Sequence, residues 1–252
     1  MPKTSTANTA FGLLQRTLRL FALGILSLGA LSACAVAPGG LGGGDTWQEE
    51  VLLHDGQKLV IERSQTYGGR SEIGQDAPVA THTIRFVMPQ GPQTITWNSP
   101  FDSDAGRASL RLLAVHVKDG IPYVVAEPNL CQSYNKWGRP NPPYVIFKWV
   151  TNAWQRIGIE AVPLEFTATN VSRYVSRMWA RDRNGQLITA EQIQTLNVSD
   201  QPQYRSILRE PMGSEQIIAM CGDKVLYKGR WILRNDPVAR QWIDREEQEK
   251  SK

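Results

Sequence analysis

The chain has 252 residues, with 28 Lys and Arg, 24 Asp and Glu, and three Cys. Its formal net charge of +4 arises mostly in the first 33 residues, which hold three basic and no acidic side chains and leave 25 basic against 24 acidic residues. A nearly neutral chain without a long run of Lys or Arg has no electrostatic basis for binding nucleic acid. We therefore expect no nucleic-acid partner.

The N-terminal segment has the layout of a secretory signal. Lys3, Arg16 and Arg19 supply positive charge, and an apolar stretch follows at Leu20–Leu31 (LFALGILSLGAL). That stretch is shorter than the roughly 20 residues that a membrane-spanning helix needs. It ends in Leu31–Cys34 (LSAC), which places a thiol directly after small residues.

This segment resembles the lipobox of bacterial lipoprotein precursors. The resemblance implies that residues 1–33 are a signal peptide, that the bond after Ala33 is cleaved, and that Cys34 carries a diacylglyceryl group and an acylated amine. Ala35 stands where the family's inner-membrane retention signal has Asp, which implies a lipid anchor in the outer membrane, on its periplasmic face. The Gly-rich residues 34–45 would then form a flexible tether. A signal anchor or an ordinary secretory signal is the alternative for the same residues.

Two cysteines remain after lipidation, Cys131 and Cys221. In an oxidising periplasm, two leftover cysteines usually pair, so we predict a disulfide between them. A redox or metal role is the alternative. The sequence does not favour this alternative, because it has no C-x-x-C motif and neither cysteine has a His at ligand spacing.

Residues 46–165 predict an antiparallel β part. Asp55-Gly56, Asp119-Gly120 and Thr151-Asn152 each separate two runs typical of strands, and the first two are two-residue hairpin signals. Period-two alternation predicts two further strands between the first pairs. The strands so predicted are Trp47–Leu53, Gln57–Arg63, His82–Phe86, Thr94–Trp97, Leu110–Val117, Ile121–Ala126, Tyr144–Val150 and Ala153–Ile157.

Residues 166–252 predict a mixed α/β part, joined to the first by the disulfide. Thr189 and Gln192 form a capping-box pattern, Gln203–Arg209 suggests a helix before Pro211, and Asp236-Pro237 caps a final helix. Ile217–Cys221 and Lys224–Leu233 suggest a hairpin turned at Gly222-Asp223. The predicted fold class is therefore mainly β (α+β), with an antiparallel β-meander curled into a sandwich or partial barrel, and short C-terminal helices.

Local signatures of catalysis and of cofactor binding do not occur in the sequence: there is no G-x-S-x-G, H-E-x-x-H, Walker or G-x-G-x-x-G motif. His54 reads as a solvated turn residue, and His82 and His116 as hydrogen-bonded strand positions, so we predict no metal site. Glu49 and Glu50 lie next to each other on a strand and must point to opposite faces. Asp102 and Asp104 lie in a polar turn, where Asp normally caps the backbone.

The segment 127–144 (EPNLCQSYNKWGRPNPPY) is the candidate binding region. Its four prolines predict a long ordered loop, and such loops often carry function. Tyr134, Lys136, Trp137 and Arg139 would form an exposed surface for a glycan, a peptide or an envelope protein. The alternative is that Tyr134 and Trp137 fold back over a sheet edge.

The sequence thus predicts a lipoprotein held at the membrane by covalent lipid on Cys34. We expect a binding or structural module of the cell envelope without a cofactor, whose partner is an envelope protein or a glycan. The alternative is an envelope hydrolase acting on a cell-wall or glycan substrate.

Overall fold

The computed structural model describes residues 44–69, 71, 74–99 and 101–250. The predicted signal peptide, Cys34 and most of the 34–45 tether lie outside these residues. The strands are β1 (Asp45–Leu52), β2 (Lys58–Tyr67), β3 (Val79–Val87), β4 (Thr94–Ser99), β5 (Phe101–Asp102), β6 (Arg107–Ala108), β7 (Leu110–Lys118), β8 (Ile121–Pro128), β9 (Val145–Val150), β10 (Ala153–Ile157), β11 (Leu187–Ile188), β12 (Lys224–Tyr227) and β13 (Arg230–Leu233). The helices are α1 (Leu130–Lys136), α2 (Arg177–Asp182), α3 (Ala190–Asn197), α4 (Pro202–Arg205), α5 (Ser214–Met220) and α6 (Pro237–Lys250), with a 3₁₀ turn at Ile159–Ala161.

Two sheets form the framework. The first has the order β11-β1-β2-β3-β4 and the second the order β10-β9-β8-β7; β11 pairs parallel to β1, and the other neighbours are antiparallel. One cluster of buried side chains joins the two sheets, with Ile61 and Ile84 from the first and Leu112 and Val124 from the second. The predicted mainly β fold with antiparallel sheets and short helices is confirmed, and the sheets pack as a sandwich.

The two sheets are buried differently, and the sequence pattern follows that difference. In β2, buried and more exposed residues alternate, as expected for a strand with one face toward the core. In β7 and β8 nearly every residue is buried, because Phe166 and Ile207 cover the outer face of the second sheet. A near-continuous apolar run is the pattern of a strand covered on both faces.

The predicted hairpins form where the turn residues place them. Asp119 and Gly120 have φ of 51° and 72°, and Thr151 and Asn152 have φ of 49° and 63°. Two consecutive left-handed residues make the tight turn whose twist matches paired strands. These turns connect β7 to β8 and β9 to β10.

Three predictions for the second half of the chain are wrong or only partly right. The proposed 203–209 helix is limited to α4, because Ile207 donates its backbone N–H to Thr167 in an extended pairing. Residues 217–220 belong to helix α5 rather than to a strand. The C-terminal hairpin turns at Lys228 and Gly229, whose φ values of 46° and 75° supply the tight turn, and not at Gly222-Asp223.

The described residues belong to one compact unit. Helix α3 starts at the predicted capping box of Thr189 and Gln192. Helix α6 starts where Asp236 accepts the backbone N–H groups of Val238 and Ala239, each at 2.9 Å. No helix in the described part of the chain is long and apolar enough to cross a membrane.

Candidate ligand-binding cleft

A cleft of about 750 Å³ opens beside the edge of the second sheet. It lies within the size range of pockets that hold small molecules or short chain segments. Its walls come from β7, the end of β8, helix α1, the segment from 199 to 204 and residues of the 212–221 region. We call it the Arg173 cleft, after the charged side chain that joins its walls.

Arg173 is buried and makes contacts with two carboxylates that line the cleft. Its Nε and Nη2 donate to the two carboxylate oxygens of Glu127 at 2.7 and 3.2 Å, and its Nη1 donates to Asp200 at 3.2 Å. Burial lowers the pKa of Arg173, but the hydrogen bond and charge of Glu127 outweigh burial and leave that pKa above its ordinary value. The guanidinium is therefore a fixed, charge-balanced part of the cleft wall.

Two tyrosines flank this guanidinium. The carbon at its centre lies 3.6 Å from the ring centroid of Tyr204 and 4.5 Å from that of Tyr174. Arg111 also lines the cleft, and its guanidinium carbon lies 5.5 Å from the centroid of the Tyr174 ring. Tyr174 remains 65% exposed, so the cleft offers an aromatic ring to solvent beside buried charged groups.

Local hydrogen bonds hold these side chains in place. Asn197, at the end of α3, accepts from the backbone N–H of Arg173 at 3.3 Å and donates to the carbonyl of Val171 at 2.7 Å. The hydroxyl of Tyr144 donates to the carbonyl of Gln203 at 2.7 Å and accepts from the backbone of Leu208 at 3.1 Å. Hydrogen bonds within the chain therefore tie the two walls to the folded frame.

Helix α1 forms the opposite wall and begins with a strained residue. Leu130 has φ of 69°, a left-handed conformation that costs a non-glycine residue on the order of 1–3 kcal/mol and is concentrated at functional sites. Its side chain is 48% exposed at the cleft. Cys131 and Cys221 also line the cleft and lie at disulfide distance, with Cα atoms 5.2 Å apart, as the sequence predicts.

The structure does not bring the four predicted binding residues together on one exposed surface. Tyr134 lines the Arg173 cleft but is only 3% exposed, and its hydroxyl donates to the carbonyl of Pro140 at 3.1 Å. Arg139 donates to the carbonyls of Cys221 and Gly222 at 3.0 and 2.9 Å. Both side chains therefore take part in holding α1 against the C-terminal region.

The other two residues point away from the cleft. Lys136 bridges Asp102 and Asp104 at 3.0 and 3.1 Å. Trp137 is half-buried against the main core and lies edge-on to Phe147, with ring centroids 6.2 Å apart. This packing matches the alternative in which the aromatic side chain covers the sheet.

The segment 127–144 is a short helix between prolines, where the sequence suggested a long loop. All four of its prolines lie outside α1, at 128, 140, 142 and 143. A signal for the helix was present: Lys136 lies in the last turn, and Gly138 follows with φ of 84°, the left-handed residue that commonly ends a helix. The sequence contained no signal for Arg173, because its partner Glu127 lies 46 residues away along the chain.

The histidines lie away from the Arg173 cleft. His82 is buried and accepts from Arg63 Nε at 3.1 Å, and burial holds its pKa well below the usual 6.5. His116 stacks on Phe166 at 4.3 Å, and burial lowers its pKa to about 4. His54 is half-buried against the same ring rather than fully solvated. Within the described residues no three His, Cys, Asp or Glu side chains form a metal-binding group.

The carboxylate pairs follow the sequence predictions. Glu49 is buried and bound to Arg63 at 2.8 Å, whereas Glu50 bonds Lys58 at 2.7 Å on the other face of β1. Asp102 caps its turn by accepting the backbone N–H of Asp104 at 2.9 Å.

Comparison with protein families, with curated proteins and with solved structures finds no match for this chain. An exposed aromatic ring beside fixed guanidinium, carboxylate and amide groups is suited to holding a polar chain by stacking and directed hydrogen bonds.

Proposed function

We propose that this chain is a lipid-anchored lipoprotein of the outer membrane that binds an envelope glycan in the Arg173 cleft without cleaving it. The observation that carries the proposal is Tyr174, an exposed ring at a cleft where Arg173 is held by Glu127 and Asp200. The apolar face of a sugar ring stacks on an aromatic side chain, while its hydroxyls reach planar polar groups beside it. Gln201 and Gln216, both exposed, supply such groups in the same cleft.

The hydrolase alternative needs two carboxylates on opposite sides of the bond that is cleaved. Glu127 and Asp200 both line the cleft, but they bind the same guanidinium at 2.7 and 3.2 Å. That arrangement makes both of them partners of Arg173 and favours a binding role for the site.

The test is calorimetric binding of soluble cell-wall oligosaccharides to the protein without its signal peptide. Tyr174→Ala should weaken binding at least tenfold, about 1.4 kcal/mol, because the ring supplies much of the contact area. Met178→Ala is the matched control, since Met178 is 61% exposed and does not line the cleft. Equal affinities for the wild type and Tyr174→Ala would contradict the glycan site, and shortened oligosaccharides in the mixture would indicate a hydrolase.

The anchor is tested separately. Cells expressing the wild type should incorporate labelled palmitate into the protein and retain it in the outer-membrane fraction. Cys34→Ser should abolish labelling, processing and membrane retention together, because stable attachment takes more than one acyl chain and each chain depends on that residue. Unlabelled Cys34→Ser protein that still fractionates with the outer membrane would rule out lipid anchoring.

A further inference from the structure

A second cavity of about 380 Å³ adjoins the Arg173 cleft, with Arg111, Arg173 and Tyr174 lining both. Much of its remaining wall is apolar. Leu110 and Leu112 of β7 contribute, and so does Trp179 of α2. We call it the arginine pocket, because Arg63 and Arg107 line it together with the two shared arginines.

The arginine pocket has an unbalanced charge. No Asp or Glu is found among the described residues that line it. Three of its arginines are matched by three carboxylates outside its lining: Arg63 by Glu49 at 2.8 Å, Arg173 by Glu127 and Asp200 at 2.7 and 3.2 Å, and Arg111 by Glu127 at 3.7 Å. Because carboxylates compensate the charges of these three arginines, little of that positive charge is available to a ligand.

Arg107 is different. Within the described part of the chain, no carboxylate lies within 4.0 Å of it, and its Nε–H is buried without a hydrogen-bond partner. Asp102 is its register partner across the β5–β6 pair, but the Asp102 carboxylate binds Lys136 at 3.0 Å. The fold therefore directs the neighbouring carboxylate away and leaves the Arg107 charge unmatched at the pocket.

Trp179 is a second side chain of the arginine pocket that has an unpartnered donor. Its Nε1–H is also buried without a partner among the described residues, and the side chain lines the same pocket. A buried donor without an acceptor costs about 1–3 kcal/mol. Both donor atoms lie within the wall of the same cavity, so their N–H dipoles add partial positive charge beside a cation without a carboxylate partner, and the wall favours a ligand that carries negative charge.

We propose that the arginine pocket binds a small organic anion. Its carboxylate or phosphate group would lie at Arg107, and its apolar body would lie against Pro78, Val79 and Trp179, which are partly exposed at the pocket. The volume is that of a small-molecule pocket, and the apolar wall favours an anion with a hydrocarbon or aromatic portion over a bare inorganic ion. Arg107 lines the arginine pocket and not the Arg173 cleft, so this proposal and the glycan proposal can fail separately.

The experiment compares two fluorescent probes that differ only in a sulfonate group: anilinonaphthalene sulfonate and its uncharged parent, phenylnaphthylamine. The wild type should bind the sulfonate about tenfold or more tightly than the neutral probe, the effect expected of a hydrogen bond to a charged group. Arg107→Gln should remove that preference, and Arg107→Lys should retain most of it. Arg85→Gln, which makes the same charge change on an exposed residue of β3, should leave it unchanged.

Equal affinity of the wild type for the two probes, or the same preference in Arg107→Gln, would overturn the proposal. Competition with benzoate and with phenyl phosphate then identifies the anion. Displacement of the sulfonate by one competitor alone assigns the pocket to that class of anion, and displacement by neither overturns the proposal even if Arg107→Gln fails to fold. Melting curves show which of the variants are folded.

Discussion

The buried ion pair between Glu49 and Arg63 allows the sharpest quantitative prediction. Glu49 is fully buried and Arg63 is 2% exposed. Glu49 accepts from Arg63 at 2.8 Å, from the indole N–H of Trp47 at 2.8 Å, and from both the backbone N–H and the hydroxyl of Ser172. Arg63 in turn donates to the carbonyl of Ser172 at 2.7 Å and so connects the first sheet to the segment that carries Arg173.

Removing one partner leaves the other charge buried. Glu49→Leu should lower the free energy of unfolding by about 3–5 kcal/mol, because a guanidinium without its carboxylate then remains in the protein interior. Arg63→Met should cost a similar or smaller amount, since Glu49 keeps its bonds from Trp47 and Ser172. The double variant should lose less than the sum of the two single losses by about 2 kcal/mol or more, because neither charge then remains.

Urea unfolding of the wild type, the two single variants and the double variant gives this coupling energy directly. Glu50 and Lys58 provide the control: their pair at 2.7 Å lies on the exposed side of β1, so its coupling should be below about 1 kcal/mol. If the losses from Glu49→Leu and Arg63→Met add without coupling, or couple no more than the exposed pair, the energetic argument for the buried pair is wrong.

Three further measurements test the rest of the structure. Replacing both Cys131 and Cys221 by Ala should lower stability by at most about 4.6 kcal/mol for a separation of 90 residues, and alkylation of the denatured wild-type protein should find neither thiol free. Trp137→Ala should cost about 3 kcal/mol in a melting experiment, because the ring packs on the core; an unchanged melting temperature would mean that it does not. His116 has a folded pKa of about 4, below its unfolded value near 6.5, so the unfolded state binds more protons between these pH values and stability should fall as pH falls through them. His116→Gln should flatten that dependence, and an unchanged slope would exclude His116 as its source.

The sequence by itself determined the features that depend on neighbouring residues. Asp119-Gly120 and Thr151-Asn152 supply left-handed backbone at two successive positions, which fixes a hairpin whatever surrounds it. Thr189 and Gln192 satisfy each other's backbone groups, so the start of α3 is also a local matter. The alternation in β4 predicted which of its faces is buried, because side chains alternate across a strand.

Only the tertiary structure decided where the charged groups meet. Arg173 and Glu127 are 46 residues apart, and Arg63 and Ser172 are 109 apart. No periodicity or turn signal encodes such distances, because these contacts depend on how the two sheets and the later helices pack. The same holds for Tyr134, which looked like a surface residue among prolines but is buried, since helix α1 turns it toward the C-terminal region. Local chemistry sets turns and caps within a few residues, whereas a cleft exists only once distant segments have been brought together by burial of the core between them.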